Sequence, residues 1–397
     1  MDFKKDFPLL NNNIVYLDNS ATTLKCNDVI DSVVNYYKNY SANAHRGDYD
    51  ISIKVDDKIE ETRYLVKEFI NAKSEKEIIF TSGTTESLNL AIKSYIKDIL
   101  GDNGEVITTK AEHASLILPL FDIIEDKKRI KYADLNDDFT LSLDNIKDLV
   151  NKNTKVIAIS QVTNVIGDER PIKEIIRYAH ENNIVVIIDA AQSIPHMKVD
   201  VKGLDVDFLA FSSHKMIGPT GIGVLYAKEK YLKEMKPLLL GGGMNAYFDS
   251  LGNFDYKELP YKFEAGTPNI AGIIGLGASI KYINKVGFDY IRDKEISLKK
   301  YAISKLSKLK NIIIYNDKIE NGILTFNVKD IFAQDVASYL NKKGICVRVG
   351  NHCAKMLSEV IGINYTIRAS FYFYNTKDDI DKLVLALDND NILKDSL

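Results

Sequence analysis

From about residue 77 the chain alternates short runs rich in isoleucine and valine with longer amphipathic stretches. The runs EIIFTS, EVITT, RIKYA, TKVIAISQV, IVVIID and DFLAFS have the length and β-branched content of buried strands. Between them, stretches beginning near Ser87, Ser115, Ser142 and Ile172 repeat apolar residues at i, i+3 and i+4, which predicts helices. Strands separated by helices need crossover connections, so the order predicts an α/β fold on a mostly parallel sheet covered on both faces. Beyond about residue 266 the pattern changes. Helical stretches at 270–286 and 288–309 lead into short strands around Gly322–Val328, Ile345–Val349 and Ile367–Phe373, with helices near 333–343 and 376–388. The expectation is a large α/β domain over 15–265 and a smaller α+β domain over 266–397, with residues 1–14 packed on the smaller one.

Composition narrows the function classes. The 397 residues are 45% hydrophobic and 27% charged, as in an ordinary globular enzyme. A net charge of −3 gives no electrostatic case for a nucleic acid or an anionic membrane as partner. No apolar run approaches the ~20 residues that span a bilayer. The opening MDFKKDFPLL has no apolar signal core, so a cytoplasmic protein is expected. Three widely spaced cysteines argue against a disulfide framework and leave room for a working thiol. No Cys/His cluster has metal-ligand spacing, so no metal is expected. No strand is followed by G-x-G-x-x-G, which speaks against a dinucleotide site.

Ligands of open parallel sheets sit beyond the carboxyl ends of the strands, and unusual residues gather at those ends. Asp189 closes IVVIID and is followed by Ala190, Ala191 and Gln192; such an aspartate is also an ordinary helix cap. DFLAFS runs into Ser213, His214 and Lys215 and then GPTGIG, small residues that let the backbone approach a bound group. SGTTES joins a strand to a helix start and offers hydroxyls and free N–H groups to a phosphate, or simply a helix cap. Together these segments provide an anion cradle, an amine for a carbonyl and an acid for a ring nitrogen, the needs of a phosphorylated aldehyde cofactor. Cys353 lies in polar, loop-like sequence (RVGNHCAKM), unlike Cys346 inside the strand pattern GICVRV. A thiolate is the reactive form of cysteine, and Arg348 and His352 are candidates to favour it.

The sequence resembles the class V aminotransferase-fold enzymes, and specifically the SUF-type (group II) cysteine desulfurases. The blocks YLDNSATT, HRGDYDIS, GTTES, AEH, DAAQS, SSHKMIGPTGIG, FEAGTPN, RVGNHCA and RASFYFYNT occur in the family's order over nearly the whole chain. The resemblance implies fold type I, pyridoxal 5'-phosphate as cofactor and a homodimer. It implies that Lys215 binds the cofactor aldehyde and moves protons, Asp189 pairs with the ring nitrogen, Gln192 bonds the ring hydroxyl and His113 stacks on the ring. Thr84, Thr85, Ser212 and His214 would hold the phosphate, with Thr267 reaching it from the other subunit. Asn164 would lie near cofactor and substrate, and Arg368 would clamp the substrate carboxylate through its fork of donors. Arg46 and Arg348 are further candidates at the substrate entrance. Cys353 would receive sulfur from L-cysteine as a persulfide, releasing L-alanine and feeding iron–sulfur cluster assembly through a SufE- or SufU-like acceptor. A selenocysteine lyase, or another C–S lyase or aminotransferase on the same fold, is the alternative. Asn351 stands where many relatives have a histidine, and Ala114 and Leu116 replace a histidine and an asparagine common after the ring-stacking histidine.

Overall fold

The computed structural model describes residues 3–44, 47–389 and 391–392. Its strands in chain order are β1 (Val15–Tyr16), β2 (Ile78–Thr81), β3 (Glu105–Thr109), β4 (Ile130–Ala133), β5 (Thr154–Ser160), β6 (Val185–Asp189), β7 (Phe208–Ser212) and β8 (Gly223–Ala227). They continue with β9 (Asn245–Phe248), β10 (Phe254–Tyr256), β11 (Ile312–Ile314), β12 (Ile323–Val328), β13 (Ile345–Cys346), β14 (Arg348–Gly350) and β15 (Thr366–Ser370). The main sheet has the order β2-β8-β7-β6-β5-β3-β4. Only β8 runs against the rest, pairing antiparallel with both β2 and β7. The carboxyl ends of the other strands therefore lie on one edge, where a ligand site is expected. The apolar runs that predict strands are continuous because both faces are covered, each by its own hydrophobic cluster.

A second sheet, β11-β12-β15-β14, is wholly antiparallel and has a separate core that includes Leu298, Leu324, Phe326 and Leu340. The change of core does not fall at Gly266. The helix Ile270–Val286 packs on the helices Asn27–Asn39 and Asp50–Phe69, and its Ile273, Leu276 and Ile280 belong to the main core. We accordingly propose Gly287 as the division, with the helix Phe288–Leu306 opening the smaller unit. The N-terminal turns bind across this division. Phe7 is fully buried against Tyr374 and Tyr282, and Tyr282 Oη donates to Asp6 at 2.6 Å. Among the described residues no helix is long and apolar enough to cross a membrane.

Candidate active site

At the carboxyl edge of the main sheet lies a cavity of about 310 Å³, within the range of small-ligand sites. Thirteen of the candidate residues named from sequence line it: Thr84, Thr85, His113, Asn164, Asp189, Gln192, Ser212, His214, Lys215, Arg348, His352, Cys353 and Arg368. Thr267 is exposed and lines no part of the cavity of its own chain. Arg46 lies outside the described residues.

Each wall has a local cause. Asp189 ends β6 in the middle of the sheet and is almost fully buried. It accepts the Ala191 N–H at 2.9 Å, yet burial pushes its carboxyl up to about 6. Lys215 sits on the turn after β7, and burial lowers its amine to about 8 despite the opposing pull of Asp189. Two residues on, Ile217 has φ +60, a conformation a β-branched residue adopts only when held. Its N–H is fixed by the Thr23 hydroxyl at 2.7 Å. On the opposite wall the helix Thr84–Ala91 begins beside β7. Thr84 N–H donates to Ser212 Oγ at 2.7 Å, and the two hydroxyls are 2.6 Å apart. A Cβ on Gly223 would lie 2.5 Å from Gly83 Cα, so only glycine lets β8 run under this turn.

His113 caps the helix Ala114–Ile123, with Nδ1 accepting the Ser115 N–H at 3.1 Å. Burial, then Lys215, lowers its pKa to about 4, so the ring is neutral at pH 7. His214 is held neutral for the same reasons. Arg368 projects from β15, buried, and donates to the Asn164 carbonyl at 2.6 Å. Burial brings it down to about 10, still protonated at neutral pH.

Cys353 is the exposed cysteine, whereas Cys26 is buried and Cys346 half-buried. His352 and Cys353 both have left-handed backbone, φ +51 and +59, and three contacts hold this tight turn. Asn164 Nδ2 donates to the His352 carbonyl at 2.7 Å, Ala114 N–H to the Cys353 carbonyl at 2.7 Å, and Cys353 N–H to Asn351 Oδ1 at 3.3 Å. Ala114 therefore serves through its backbone, and Leu116 is simply core. The expectation that His352 lends the thiol positive charge is corrected. His352 is buried with Nε2 3.0 Å from the Thr366 hydroxyl, and burial drops its pKa to about 3, so it is neutral. Sequence reasoning assigned no role to Ser20, Ala21, Ser115, Ser160 or Ala191, which also line the cavity. Ser20 and Ala21 fall in the block YLDNSATT, the one signal that pointed to them.

The family model for class V aminotransferases ("Aminotransferase class-V") matches residues 15–383. The chain belongs to the class V aminotransferase family. Its fold is fold type I of the pyridoxal-phosphate enzymes, and members of the family depend on pyridoxal phosphate. A protein of Halalkalibacterium halodurans described as "Probable cysteine desulfurase" is 42% identical over 98% of this chain and 97% of its own. One of Staphylococcus epidermidis with the same description is 42% identical over 96% of this chain and 94% of its own. Among solved structures, the cysteine desulfurase CsdA of Escherichia coli, in an S-sulfonic acid form, superposes with a TM-score of 0.91 at 34% identity, covering 99% of this chain and 98% of that one. The apo cysteine desulfurase of Thermococcus onnurineus gives 0.91 at 37% identity, over 97% and 96%.

The residues of this class V site fit pyridoxal phosphate. Gln192 turns Nε2 to the Ser20 carbonyl at 2.7 Å and leaves Oε1 buried without a partner, ready for a phenolic hydroxyl. Asn164 Oδ1 is likewise buried and unpartnered. A pyridinium N–H would give buried Asp189 a cationic partner in addition to the pull of Lys215. The hydroxyls of Thr84, Thr85 and Ser212, with the helix start at Thr84, suit a phosphate.

Proposed function

We propose that the protein is a cysteine desulfurase of the SUF type, converting L-cysteine to L-alanine while Cys353 takes the sulfur as a persulfide. One observation carries this reading: an exposed thiol, Cys353, lines the same cavity as Lys215, Asp189 and Arg368. Pyridoxal phosphate, when bound, draws electrons from the substrate α-carbon and so loosens the bonds around it. Asp189 keeps a proton on the ring nitrogen, and Gln192 and neutral His113 hold the ring. Thr84, Thr85, Ser212 and His214 hold the phosphate. Arg368, with Asn164 and Arg348 beside it, binds the substrate carboxylate. Lys215 Nζ removes the α-proton and returns a proton to the product. Cys353 thiolate then attacks the substrate sulfur. The new S–S bond forms as the C–S bond breaks; the carbon keeps the electron pair, takes a proton and leaves as alanine. The carbon is reduced and the sulfur oxidised, so no outside oxidant is needed.

A second thiol must lift the sulfur from Cys353, which supports a protein acceptor of the SufE or SufU kind and a role in iron–sulfur cluster assembly in the cytoplasm. A homodimer is part of this reading. Its support is the exposed β9–β10 hairpin, where Phe248 and Leu251 are 71% and 86% exposed beside exposed Leu239 and Leu240. Thr267, exposed on its own chain, is free to reach the partner's phosphate. The test is alanine and sulfide release from L-cysteine with a thiol reductant, comparing wild type with Cys353→Ser. The variant should stay yellow and lose at least about 99% of turnover, the scale of losing a covalent nucleophile. Equal turnover would overturn the assignment of sulfur transfer to Cys353.

A further inference from the structure

The cradle assigned to the phosphate is short of positive charge. Thr84, Thr85 and Ser212 offer hydroxyls, His214 is neutral, and the start of the helix Thr84–Ala91 supplies only about half a charge. A phosphate monoester brings about two negative charges near neutral pH. The cations of the cavity wall have other tasks in the proposed scheme, Lys215 at the aldehyde and Arg348 and Arg368 at the substrate carboxylate. One more cation stands directly behind this wall. Lys25 is half-buried, and its ammonium donates to the His214 carbonyl at 2.9 Å and to the Thr23 carbonyl at 2.5 Å. Among the described residues no acidic side chain pairs with it. Burial lowers its amine to about 8, so it is mostly protonated at pH 7. The titratable groups facing it are His214 and Cys26, both neutral there, since burial pushes the Cys26 thiol up to about 11.

A hydrogen bond is not what Lys25 adds. A carbonyl oxygen has two lone pairs, and that of His214 already faces the Thr23 N–H at 3.1 Å and the hydroxyls of Thr22 and Thr23 at 3.0 and 3.1 Å. With the peptide so held, a fourth donor contributes its charge. An ammonium drawn out of water without an anion is costly, and an anion bound on the cavity side of His214 offsets that cost.

We propose that Lys25 supplies the countercharge for the cofactor phosphate, acting across His214 from behind the cavity wall. The proposal rests on reading the cavity as a pyridoxal-phosphate site with His214 at the phosphate. Lys25 touches neither cofactor nor reacting atoms in this scheme; its effect is on how tightly the phosphorylated cofactor is held. The coupling is reciprocal, so a bound phosphate also holds the proton on Lys25.

The probes are pyridoxal 5'-phosphate and pyridoxal, the same aldehyde with and without the anion, titrated into the full cofactor-free chain and read by the yellow absorbance. Lys25→Met should lower the ratio of the two affinities roughly tenfold or more, as the loss of a charge pair several ångströms apart in a half-buried site implies. Lys25→Gln keeps a donor for the carbonyl and should lower the ratio alike, whereas Lys25→Arg keeps the cation and should stay near wild type. A merely structural role would weaken both aldehydes together. A ratio unchanged in Lys25→Met, or kept by Lys25→Gln, therefore overturns the proposal. The wild-type chain provides an arm that needs no variant to fold. In competitive acetylation read by mass spectrometry, pyridoxal 5'-phosphate should raise the Lys25 midpoint by about one pH unit, the same tenfold expressed as protonation, and pyridoxal should leave it in place. A midpoint that does not distinguish the two aldehydes overturns the proposal. A wild-type chain that turns yellow with neither aldehyde overturns the cofactor reading itself, a result distinct from an unchanged ratio.

Discussion

Lys215 reaches the cavity from a turn whose surroundings solvate an ammonium poorly, and burial is the chief reason its amine falls to about 8. A lysine in water stays protonated to beyond pH 10; this one is half neutral two units lower. The sign follows: the free amine, the form that reacts with a carbonyl, grows as pH rises and levels above about 8. Competitive acetylation of the cofactor-free chain, read by mass spectrometry, should give Lys215 a midpoint near pH 8 while exposed lysines titrate above 10; a midpoint among the exposed lysines would refute the burial argument. Lys215, Asp189 and Cys353 were legible in the sequence because each is chemically out of place, an amine among small residues, an acid closing an apolar strand, a thiol in a polar loop. The ion pairs of Asp18 were not, because they join it to two arginines more than 300 residues away in the chain. His352 was misjudged for a related reason. Its proton state is set by the β15 neighbours that bury it, which no local pattern records.

The turn between β3 and the helix Ala114–Ile123 places His113, and a buried ion pair ties that turn to the sheet. Glu112 and Arg170 are in contact with both side chains fully buried. Glu112 also accepts the Ser160 N–H at the end of β5, and Arg170 reaches the Thr109 hydroxyl at the end of β3. Removing one charge of such a pair strands the other away from water. Arg170→Met, which strands both Glu112 and the buried Asp168 that shares the guanidinium, should therefore cost roughly 3–5 kcal/mol in urea unfolding. A loss under about 1 kcal/mol would mean that water reaches the pair. Most of the strands β2 to β7 were readable because double burial makes them near-continuous apolar runs, whereas β4, at the sheet edge, keeps Lys131 and is only partly buried. β8 (GVLYA) was passed over since it follows a glycine-rich turn and runs against its neighbours. The helices Asn27–Asn39 and Asp50–Phe69 were also missed, their apolar positions being diluted by charge.

At the scale of the molecule, the switch from long alternation to short strands suggests two units, and the division proposed at Gly287 assigns the helix Ile270–Val286 to the earlier one because its apolar faces meet the helices Asn27–Asn39 and Asp50–Phe69. The exposed hairpin sets a further expectation. If β9–β10 carries the subunit contact, Leu251→Asp with Phe248→Asp should shift the protein toward monomer in sedimentation velocity; an unchanged dimer would place the contact elsewhere. The N-terminal segment is the other long-range device. β1 pairs with β13, Asn19 donates to the Ser370 carbonyl at 2.6 Å and to Asn375 at 3.0 Å, and Asn375 donates to the Tyr16 carbonyl at 2.9 Å. β1 and the residues after it thus find their partners more than 300 residues further along the chain. Pairings that close such long loops are slow to form, so the common cavity of amine and thiol is expected to be completed late in folding.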